Sequence, residues 1–516
     1  MKKTDSNRQI KLGMLLSYLN LGIGNLIPFF YTPVMLELLG QSEYGLYKIA
    51  SSTTSYLSLM AFGIGSAVSR FIIKARTQEG KDAEERMFGL FNLLFQGVAL
   101  LTLVVGGLIT WKLDFIYGAS LTATELSRMR VLVGLMVINT AVGYSATSYN
   151  AVVSSHERFL FIHGINIIST IGTPVLNLVI LFMGYRSVGM AVISLALNIL
   201  VRLIYIAYVR RALDMKPRYD NLPYNTLREI FTFSFWAFVA SVVSQIYSAT
   251  DTVIIGAIPA LATMGAAVYG VGATFTNTMF GLSQVTPTLY GPRVNQMVFE
   301  GSDNKELTEM SIRVGRMQAT LVLLICSGFV AFGRQFIHCY VGQNYQDAYW
   351  VAVIVMIPNC IPLVQSAAHS VLHAKNMHRF RAITYLGIAV VNIVFTLLLV
   401  ERLGVIGAAI PTGVAYLIGQ GLVMNLYYWK KVGLDIPKFW KRLLPFFALA
   451  AILCVVTCII SCWVDLYSWR RLFVGIICYT AAYFGGLWLF VFDGEERKAI
   501  AKTVAFKGKQ KISKEC

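Results

Sequence analysis

Five charged residues lie inside or at the ends of long apolar stretches, where a charge is costly unless it meets a partner or a polar cavity. They are Lys48, Arg70, Arg202, Asp251 and Arg293. Lys and Arg side chains hold phosphate oxygens, and the Arg fork does so through two parallel hydrogen bonds. A carboxylate in such surroundings can carry a proton. These residue types favour an anion-binding cavity with one ion-coupling group.

Three of these residues also have a simpler interpretation, as charges at a helix end. Lys48 is close enough to a predicted helix end for its stem to reach the lipid headgroups. Arg70 and Arg293 lie at predicted cytoplasmic ends, where basic residues are common. Arg202 is about 10 Å from such an end at 1.5 Å per residue, which a side chain does not easily span. Asp251 either carries a coupling proton or pairs with Lys48.

The elements that must position these residues are membrane helices. The chain has 516 residues, of which 56% are hydrophobic and only 14% charged, and its mean hydropathy is +0.63. Soluble domains carry about 25% charged residues. The apolar runs are continuous and long enough for helices, whereas barrel strands are shorter and alternate. We predict an all-α polytopic membrane protein with about 14 spans, near residues 12–37, 44–69, 88–110, 130–153, 160–183, 187–209, 230–256, 265–290, 315–333, 348–373, 382–400, 404–428, 443–464 and 471–492.

The charge pattern predicts the orientation of these spans. Net charge is +18, and most of the 44 Lys and Arg residues fall in loops on one side of the predicted membrane. Cytoplasmic loops are enriched in basic residues. Both termini are therefore expected in the cytoplasm, with no nucleic-acid partner implied. The basic tail is expected on the anionic inner leaflet.

The chain contains an internal repeat of six helices. A segment that begins "RFLFIHGIN" at Arg158 has a counterpart that begins "RFRAITYLG" at Arg379, and both carry a mid-span Asn, Asn177 and Asn392. An even number of spans makes the two copies parallel, and transporters built from such repeats bind substrate between the halves. We predict five segments: an N-terminal lobe at 1–211, a cytoplasmic linker at 212–229, a C-terminal lobe at 230–431, two further helices at 432–494 and a basic tail at 495–516.

Catalysis is not expected. The sequence carries no Gly-x-Ser-x-Gly, His-Glu-x-x-His or phosphate-binding Gly-Lys-Ser/Thr motif. Its eight cysteines include no Cys-x-x-Cys pair, and we expect neither a metal site nor a cofactor. A secondary transporter is the preferred interpretation, with a non-transporting scaffold of a polymer-synthesis complex as a weaker alternative.

Two stretches resemble the polysaccharide transporter family, the Wzx-type oligosaccharide flippases of the multidrug/oligosaccharidyl-lipid/polysaccharide (MOP) superfamily. Residues 38–72, "LLGQSEYGLYKIASSTTSYLSLMAFGIGSAVSRFI", carry the family's Leu-Gly, Tyr-Gly-Leu-Tyr, glycine-containing turn and Arg-aromatic end. Residues 249–256, "ATDTVIIG", are similar to its seventh helix. The helix number and the two lobes also match, so the resemblance covers the whole chain and implies a MATE/flippase-like fold.

The resemblance implies a flippase for polyprenyl-diphosphate-linked oligosaccharide in a bacterial cytoplasmic membrane. It also implies membrane lipids as partners, and a polysaccharide polymerase and chain-length proteins as further candidates. Substrate binding would involve Arg202, Lys48, Arg70 and Arg293, with ion coupling at Asp251. A lipid II flippase remains open because its substrate shares the diphosphate. A multidrug or organic-cation antiporter is less favoured, because it would need buried acids in the first lobe.

The predicted orientation can be tested with two fusions. A reporter that is active only in the cytoplasm should work when it is fused after Arg218 and should fail near Ala260, because one span separates the two sites. Activity of both fusions, or of neither, would contradict the assigned side of the seventh span.

Overall fold

Every regular element in the described part of the chain is helical. The computed structural model describes residues 3–375, 377–494 and 496–498. Its α-helices are α1 (Lys3–Leu39), α2 (Gln41–Ser55), α3 (Gly65–Glu79), α4 (Lys81–Trp111), α5 (Leu113–Tyr117), α6 (Ala123–Ser155), α7 (Phe159–Phe182), α8 (Arg186–Ala212), α9 (Leu227–Ala257), α10 (Ala262–Ser283), α11 (Val285–Phe299), α12 (Asn304–Val341), α13 (Asp347–Val364), α14 (Ser366–Ala374), α15 (His378–Tyr416), α16 (Met424–Tyr427), α17 (Ile436–Ser461) and α18 (Trp469–Gly486). Tighter 3-10 turns cover Tyr56–Ala61, Tyr224–Thr226 and Gln343–Tyr345, and wider π-helical turns cover Leu417–Val423, Tyr428–Val432 and Leu487–Val491.

The helices confirm the predicted all-α membrane architecture. Within the described residues, 11 stretches are long and apolar enough to cross a membrane. One of them, Arg379–Val432, contains two predicted spans, because α15 turns at Gly404, whose φ of 62° is not helical. The two predicted spans outside these stretches, near residues 44–69 and 265–290, are formed by α2 with α3 and by α10 with α11. The structure is therefore consistent with about 14 spans.

Three predicted spans are broken instead of continuous. The second divides into α2 and α3, the eighth into α10 and α11 at Gln284, and the tenth into α13 and α14 at Gln365. In the tenth span Pro358 and Pro362 precede the break, as expected of residues that lack a backbone donor. In a membrane, the backbone groups freed at such breaks must be satisfied by protein.

The break in the second span brings two backbones together. After the 3-10 turn, Phe62 and Gly63 adopt left-handed conformations, with φ of 46° and 70°. A Cβ on Gly63 would lie 2.5 Å from the Ser234 carbonyl oxygen and 2.7 Å from the Phe238 nitrogen, both on α9. Only glycine fits this contact and this conformation together.

The described residues fall into two compact units. The first comprises residues up to 282 together with 350–355 and 377–419, and the second comprises the remainder. The core of the first unit contains the buried rings of Phe71, Phe88, Phe91 and Phe95. These two units do not coincide with the two copies of the predicted repeat. The two lobes and their linker therefore stay a prediction.

In the second unit, Gln318 joins two helix breaks. This fully buried residue of α12 donates from Nε2 to the carbonyl oxygens of Ser283, at 3.0 Å, and Leu363, at 3.2 Å. The Ser283 carbonyl has no intrahelical donor, because the residue four positions later is Pro287. One side-chain amide therefore satisfies a carbonyl beside each break.

Arg316, two residues before Gln318 on α12, anchors the end of the described chain. Its Nε and Nη2 donate to the Glu496 carboxylate at 2.8 and 2.7 Å, and Nη2 also donates to the Val491 carbonyl oxygen at 3.0 Å. Burial alone would raise the pKa of Glu496, but the hydrogen bonds and charge of Arg316, together with the hydrogen bond from the Asp493 backbone, hold that pKa below its usual value. The predicted basic tail otherwise lies outside the described residues, at 495 and 499–516.

Replacing the amide of Gln318 should lower the stability of the protein. Gln318→Met keeps the length of the side chain but removes both donated hydrogen bonds. Since polar contacts within membrane proteins average about 0.6 kcal/mol each, we expect a loss of at least about 1 kcal/mol, measured as a lower midpoint of thermal unfolding in detergent. The control is Gln296→Met, which changes an exposed glutamine of α11. Equal midpoints for the two variants would show that Gln318 does not hold the breaks.

Candidate functional site

The candidate site consists of the charged and polar side chains inside the membrane helices of the first unit. Lys48 lies on α2 and is half-buried. Its stem crosses Gly270 of α10, where an added Cβ would lie 3.1–3.3 Å from Cγ, Cδ and Cε. Its Nζ lies 5.2 Å from the centroid of the Tyr44 ring, a cation–π distance. Lys48 thus packs between helices of the protein.

Asp251 lies in a cage of hydroxyl groups. Its side chain, 3% exposed, accepts hydrogen bonds from Tyr269 of α10 and from Thr412 of α15, the latter at 2.8 Å. The cage continues through Asn392, whose Nδ2 donates to Thr412 Oγ1 at 3.2 Å, and Thr396, which donates to Asn392 Oδ1 at 3.4 Å. The buried carboxylate is therefore held by neutral groups.

The suggested pair of Lys48 and Asp251 does not form in the described structure. Asp251 bonds to hydroxyls, whereas Lys48 lies over Gly270. Tyr269, which reaches Asp251, and Gly270, which accommodates Lys48, are consecutive on α10. Successive side chains on a helix point about 100° apart, so the two charges contact different sides of α10. A carboxylate with hydroxyl partners and no ion pair can take up a proton or a small cation.

Arg202 is half-buried on α8, and its Nε is buried without a hydrogen-bond partner in the described residues. Asn198, one turn earlier, does not supply one. The Asn198 amide donates instead to the backbone and side-chain oxygens of Asn139 on α6, at 3.0 and 2.9 Å. An intramembrane guanidinium with an unused donor is suited to an incoming anion.

Arg70 lies on α3, beyond the break in the second span. It is exposed, and its guanidinium carbon lies 4.7 Å from the centroid of the Phe233 ring on α9. One turn further, Lys74 pairs with Glu229 at 3.3 Å. These contacts, with the close approach at Gly63, hold α3 against the first turns of α9. Arg70 thus belongs to a contact between helices at their predicted cytoplasmic ends.

Arg293, the expected counterpart of Arg70, lies on α11 in the second unit. It is exposed, and its Nη1 donates to Gln296 Oε1 at 3.1 Å. The two arginines therefore differ in their surroundings. Arg70 stacks on an aromatic ring of another helix, whereas Arg293 donates its hydrogen bond to a residue of its own helix.

The predicted outer ends of α2, α6 and α10 are also joined. The Ser42 hydroxyl donates to Glu125 Oε1 at 2.8 Å, and Thr263 Oγ1 lies 3.3 Å from Ser42 Oγ. A Cβ on Gly45 would lie 1.8 Å from the Thr263 carbonyl oxygen, so the backbones of α2 and α10 touch here. Beside this contact, the buried Glu43 pairs with Arg128 at 3.0 Å.

Sequence reasoning singled out Asp251 but missed its cage. Asn392 stands out in the sequence as a mid-span Asn of the repeat, whereas Tyr269, Thr396 and Thr412 carry no signal beyond their polarity. The spacing of Asn392 and Thr396 by one helical turn was available, since residues four apart share a helix face. Their convergence on Asp251 depends on the packing of α15 against α9 and α10, which no local pattern predicts.

Comparisons with known proteins identify the family. The family model "Polysaccharide biosynthesis protein" matches residues 13–293. The "Putative O-antigen transporter" of Shigella flexneri is 21% identical over 399 residues, which cover 75% of this chain and 90% of that protein. The "Probable low-salt glycan biosynthesis flippase" of Haloferax volcanii is 23% identical over 215 residues; this match covers 41% of the chain and only 43% of that flippase.

Solved structures show the same fold at low identity. The "Lipid II flippase MurJ, inward closed conformation" has a TM-score of 0.70 at 15% identity, over 91% of this chain and 97% of that one. An inward-facing multidrug resistance MATE family transporter of the MOP superfamily has a TM-score of 0.61 at 12% identity. The match covers 82% of this chain and 99% of that transporter. These similarities confirm the expected MATE/flippase-like fold.

Proposed function

Since the chain belongs to the polysaccharide biosynthesis protein family of MOP-superfamily flippases, we propose that it moves a polyprenyl-diphosphate-linked oligosaccharide across the membrane for surface polysaccharide synthesis. It is a multi-pass membrane protein, and its relatives are named as transporters and flippases. The proposed movement runs from the inner to the outer leaflet by alternating access.

The observation that carries this proposal is Arg202. Its Nε is buried within a membrane helix and has no hydrogen-bond partner in the described residues. Leaving a buried charged donor unused costs free energy, so such a group is retained where a ligand uses it. A diphosphate offers several anionic oxygens and matches the guanidinium fork. An organic cation would be repelled.

The other cations have complementary roles in the proposal. Lys48 lies at the contact of α2 and α10, where the diphosphate would pass on its way outward. In the first unit, Arg70 would receive the diphosphate at the predicted cytoplasmic end. Arg293, in the second unit, is proposed as a further phosphate-binding residue. The contact of Arg70 with Phe233 would have to open for substrate entry, and the contact at Gly45 would have to open for release.

Asp251 is proposed as the ion-coupling residue. Its hydroxyl cage lies among α9, α10 and α15, so a change in its charge alters hydrogen bonds on all three helices. Taking up a proton would turn the acceptor of the Tyr269 and Thr412 bonds into a partial donor. Such a rearrangement can bias one conformation over another only through this difference in contacts.

The proposed location is the bacterial cytoplasmic membrane, with both termini in the cytoplasm. The distribution of Lys and Arg supports this orientation. A polysaccharide polymerase and chain-length proteins are the proposed protein partners. They would take up the oligosaccharide on the outer side.

Lipid II remains the alternative substrate, because it also carries a diphosphate. Two complementation strains distinguish the candidates. One lacks its O-antigen flippase, and the other is depleted of its lipid II flippase. We expect the chain to restore surface glycan in the first strain and not growth in the second. The reverse result would assign the protein to peptidoglycan synthesis.

Removing the charge of Arg202 should impair transport severely. A charge-assisted hydrogen bond contributes about 1.5–3 kcal/mol, so Arg202→Gln should lose roughly ten- to a hundredfold in substrate affinity. Arg202→Lys keeps the charge but loses the fork and should be partly defective. The measurement is surface glycan at matched expression. Arg211→Gln, which changes an exposed arginine at the end of the same helix, is the control. Parental export by both Arg202 variants would remove this residue from the substrate site.

Neutralising Asp251 should separate coupling from binding. Asp251→Asn should abolish gradient-driven transport, because the amide cannot exchange a proton, and should leave substrate binding intact. Gradient-driven transport is measured in vesicles with an imposed proton gradient. Substrate binding is measured as retention of labelled lipid-linked glycan. Asp220→Asn in the linker is the matched control. Full gradient-driven transport by Asp251→Asn would exclude the coupling role.

A further inference from the structure

A cleft in the second unit lies apart from all the residues assigned above. It has a volume of about 590 Å³ and is lined by His338 and Cys339 of α12, by Tyr467 and Ser468 just before α18, and by Trp469 and Arg470 in its first turn. The charge pattern predicts that these ends face the outer side. The cleft is open and not enclosed, so a lipid headgroup can reach its lining residues directly.

The aromatic walls of the cleft are fixed by packing. The His338 and Tyr467 rings meet edge to face, with centroids 5.0 Å apart. Trp469 packs edge to face on Phe336 at 5.7 Å and stacks on Phe473 at 5.5 Å. Leu466 and Leu472, on either side of the cleft-lining segment, are buried. Because its rings are held by neighbours, little ordering is needed when a ligand binds.

Arg470 gives the cleft a positive charge that the protein does not balance. It makes no hydrogen bond or ion pair with the described residues. Its neighbour Arg471 behaves differently, since it pairs with Asp465 through the carboxylate at 3.1 Å and the backbone oxygen at 3.2 Å. The acid on this loop is thus already bound, and Arg470 is left beside the Ser468 hydroxyl and the His338 ring.

We propose that this cleft binds the phosphate of a lipid headgroup in the outer leaflet. The guanidinium supplies the charge-assisted contact, and Ser468 can add a hydroxyl donor. Tyr467 and Trp469 suit the depth of the headgroups, where aromatic rings with a polar edge accumulate. The phosphate has two sources: a resident anionic phospholipid, or a carrier lipid that has reached the outer leaflet. The resident phospholipid does not depend on the proposed transport function, whereas the carrier lipid rests on it.

The test uses native mass spectrometry of the purified full-length protein. The probes are phosphatidylglycerol, diacylglycerol with the same acyl chains and no phosphate, and undecaprenyl diphosphate. We expect phosphatidylglycerol to bind in preference to diacylglycerol, and Arg470→Gln to weaken that binding about tenfold, as expected for one charge-assisted contact. Arg470→Lys should bind phosphatidylglycerol with an affinity between those of the parent and Arg470→Gln. Arg471→Gln, whose arginine is bound to Asp465, should bind it as tightly as the parent does.

The outcomes separate the sources and can overturn the proposal. Competition by undecaprenyl diphosphate that Arg470→Gln abolishes would identify the carrier lipid. Phosphatidylglycerol binding without such competition would identify a resident phospholipid. Equal binding of diacylglycerol, or equal losses in Arg470→Gln and Arg471→Gln, would show that the aromatic rings and Arg470 serve only as interfacial anchors. All variants change exposed side chains, so comparable unfolding midpoints provide the folding control.

Discussion

The structure depends on one constraint: a backbone carbonyl that loses its helical donor inside a membrane must find another donor within the protein. Three spans break, and each break would be unstable in lipid without such a donor. In the second unit a single amide, Gln318, serves two of them through the carbonyls of Ser283 and Leu363. At the break in the second span, the Tyr144 hydroxyl of α6 donates to the Leu57 carbonyl oxygen at 2.9 Å, and Gly63 packs closely on the backbone of α9. Broken helices are thus tolerated where packing or a side chain compensates for them.

The buried charged residues also differ in the hydrogen-bond partners that the protein provides for them. Arg316 is satisfied by the Glu496 carboxylate and by backbone carbonyls, which makes it a structural anchor. Asp251 is satisfied by hydroxyls that can rearrange when its charge changes. Arg202 keeps a buried donor without a partner. The availability of donors and acceptors, more than depth in the membrane, distinguishes a structural charge from a candidate functional one.

Much of the architecture is predictable from hydropathy, because a helix must be apolar for about 20 residues to cross the membrane. The helix breaks are harder to predict. Pro358 and Pro362 predict the break at Gln365. In contrast, nothing in the sequence "SYLSLMAFGIG" distinguishes a left-handed turn at Phe62 from a glycine-containing helix. The cage around Asp251 brings together residues as far apart as 251 and 412, and the Lys48 contact depends on a glycine more than two hundred residues away. Such contacts arise from packing between helices that are distant in sequence.

The segment after α8 has a consequence for dividing the protein into fragments. The Arg218 nitrogen donates to the Glu85 carbonyl oxygen at 3.1 Å, and the Tyr219 hydroxyl donates to Asn92 Oδ1 at 3.1 Å, both on α4. A Cβ on Gly89 would lie 1.8 Å from the Arg218 carbonyl oxygen, so the linker lies directly on that helix. A split version that ends its first half at Arg211 would remove this strip and expose the α4 surface to water. A cut after Asn221 would keep the strip with the half of the protein that it covers.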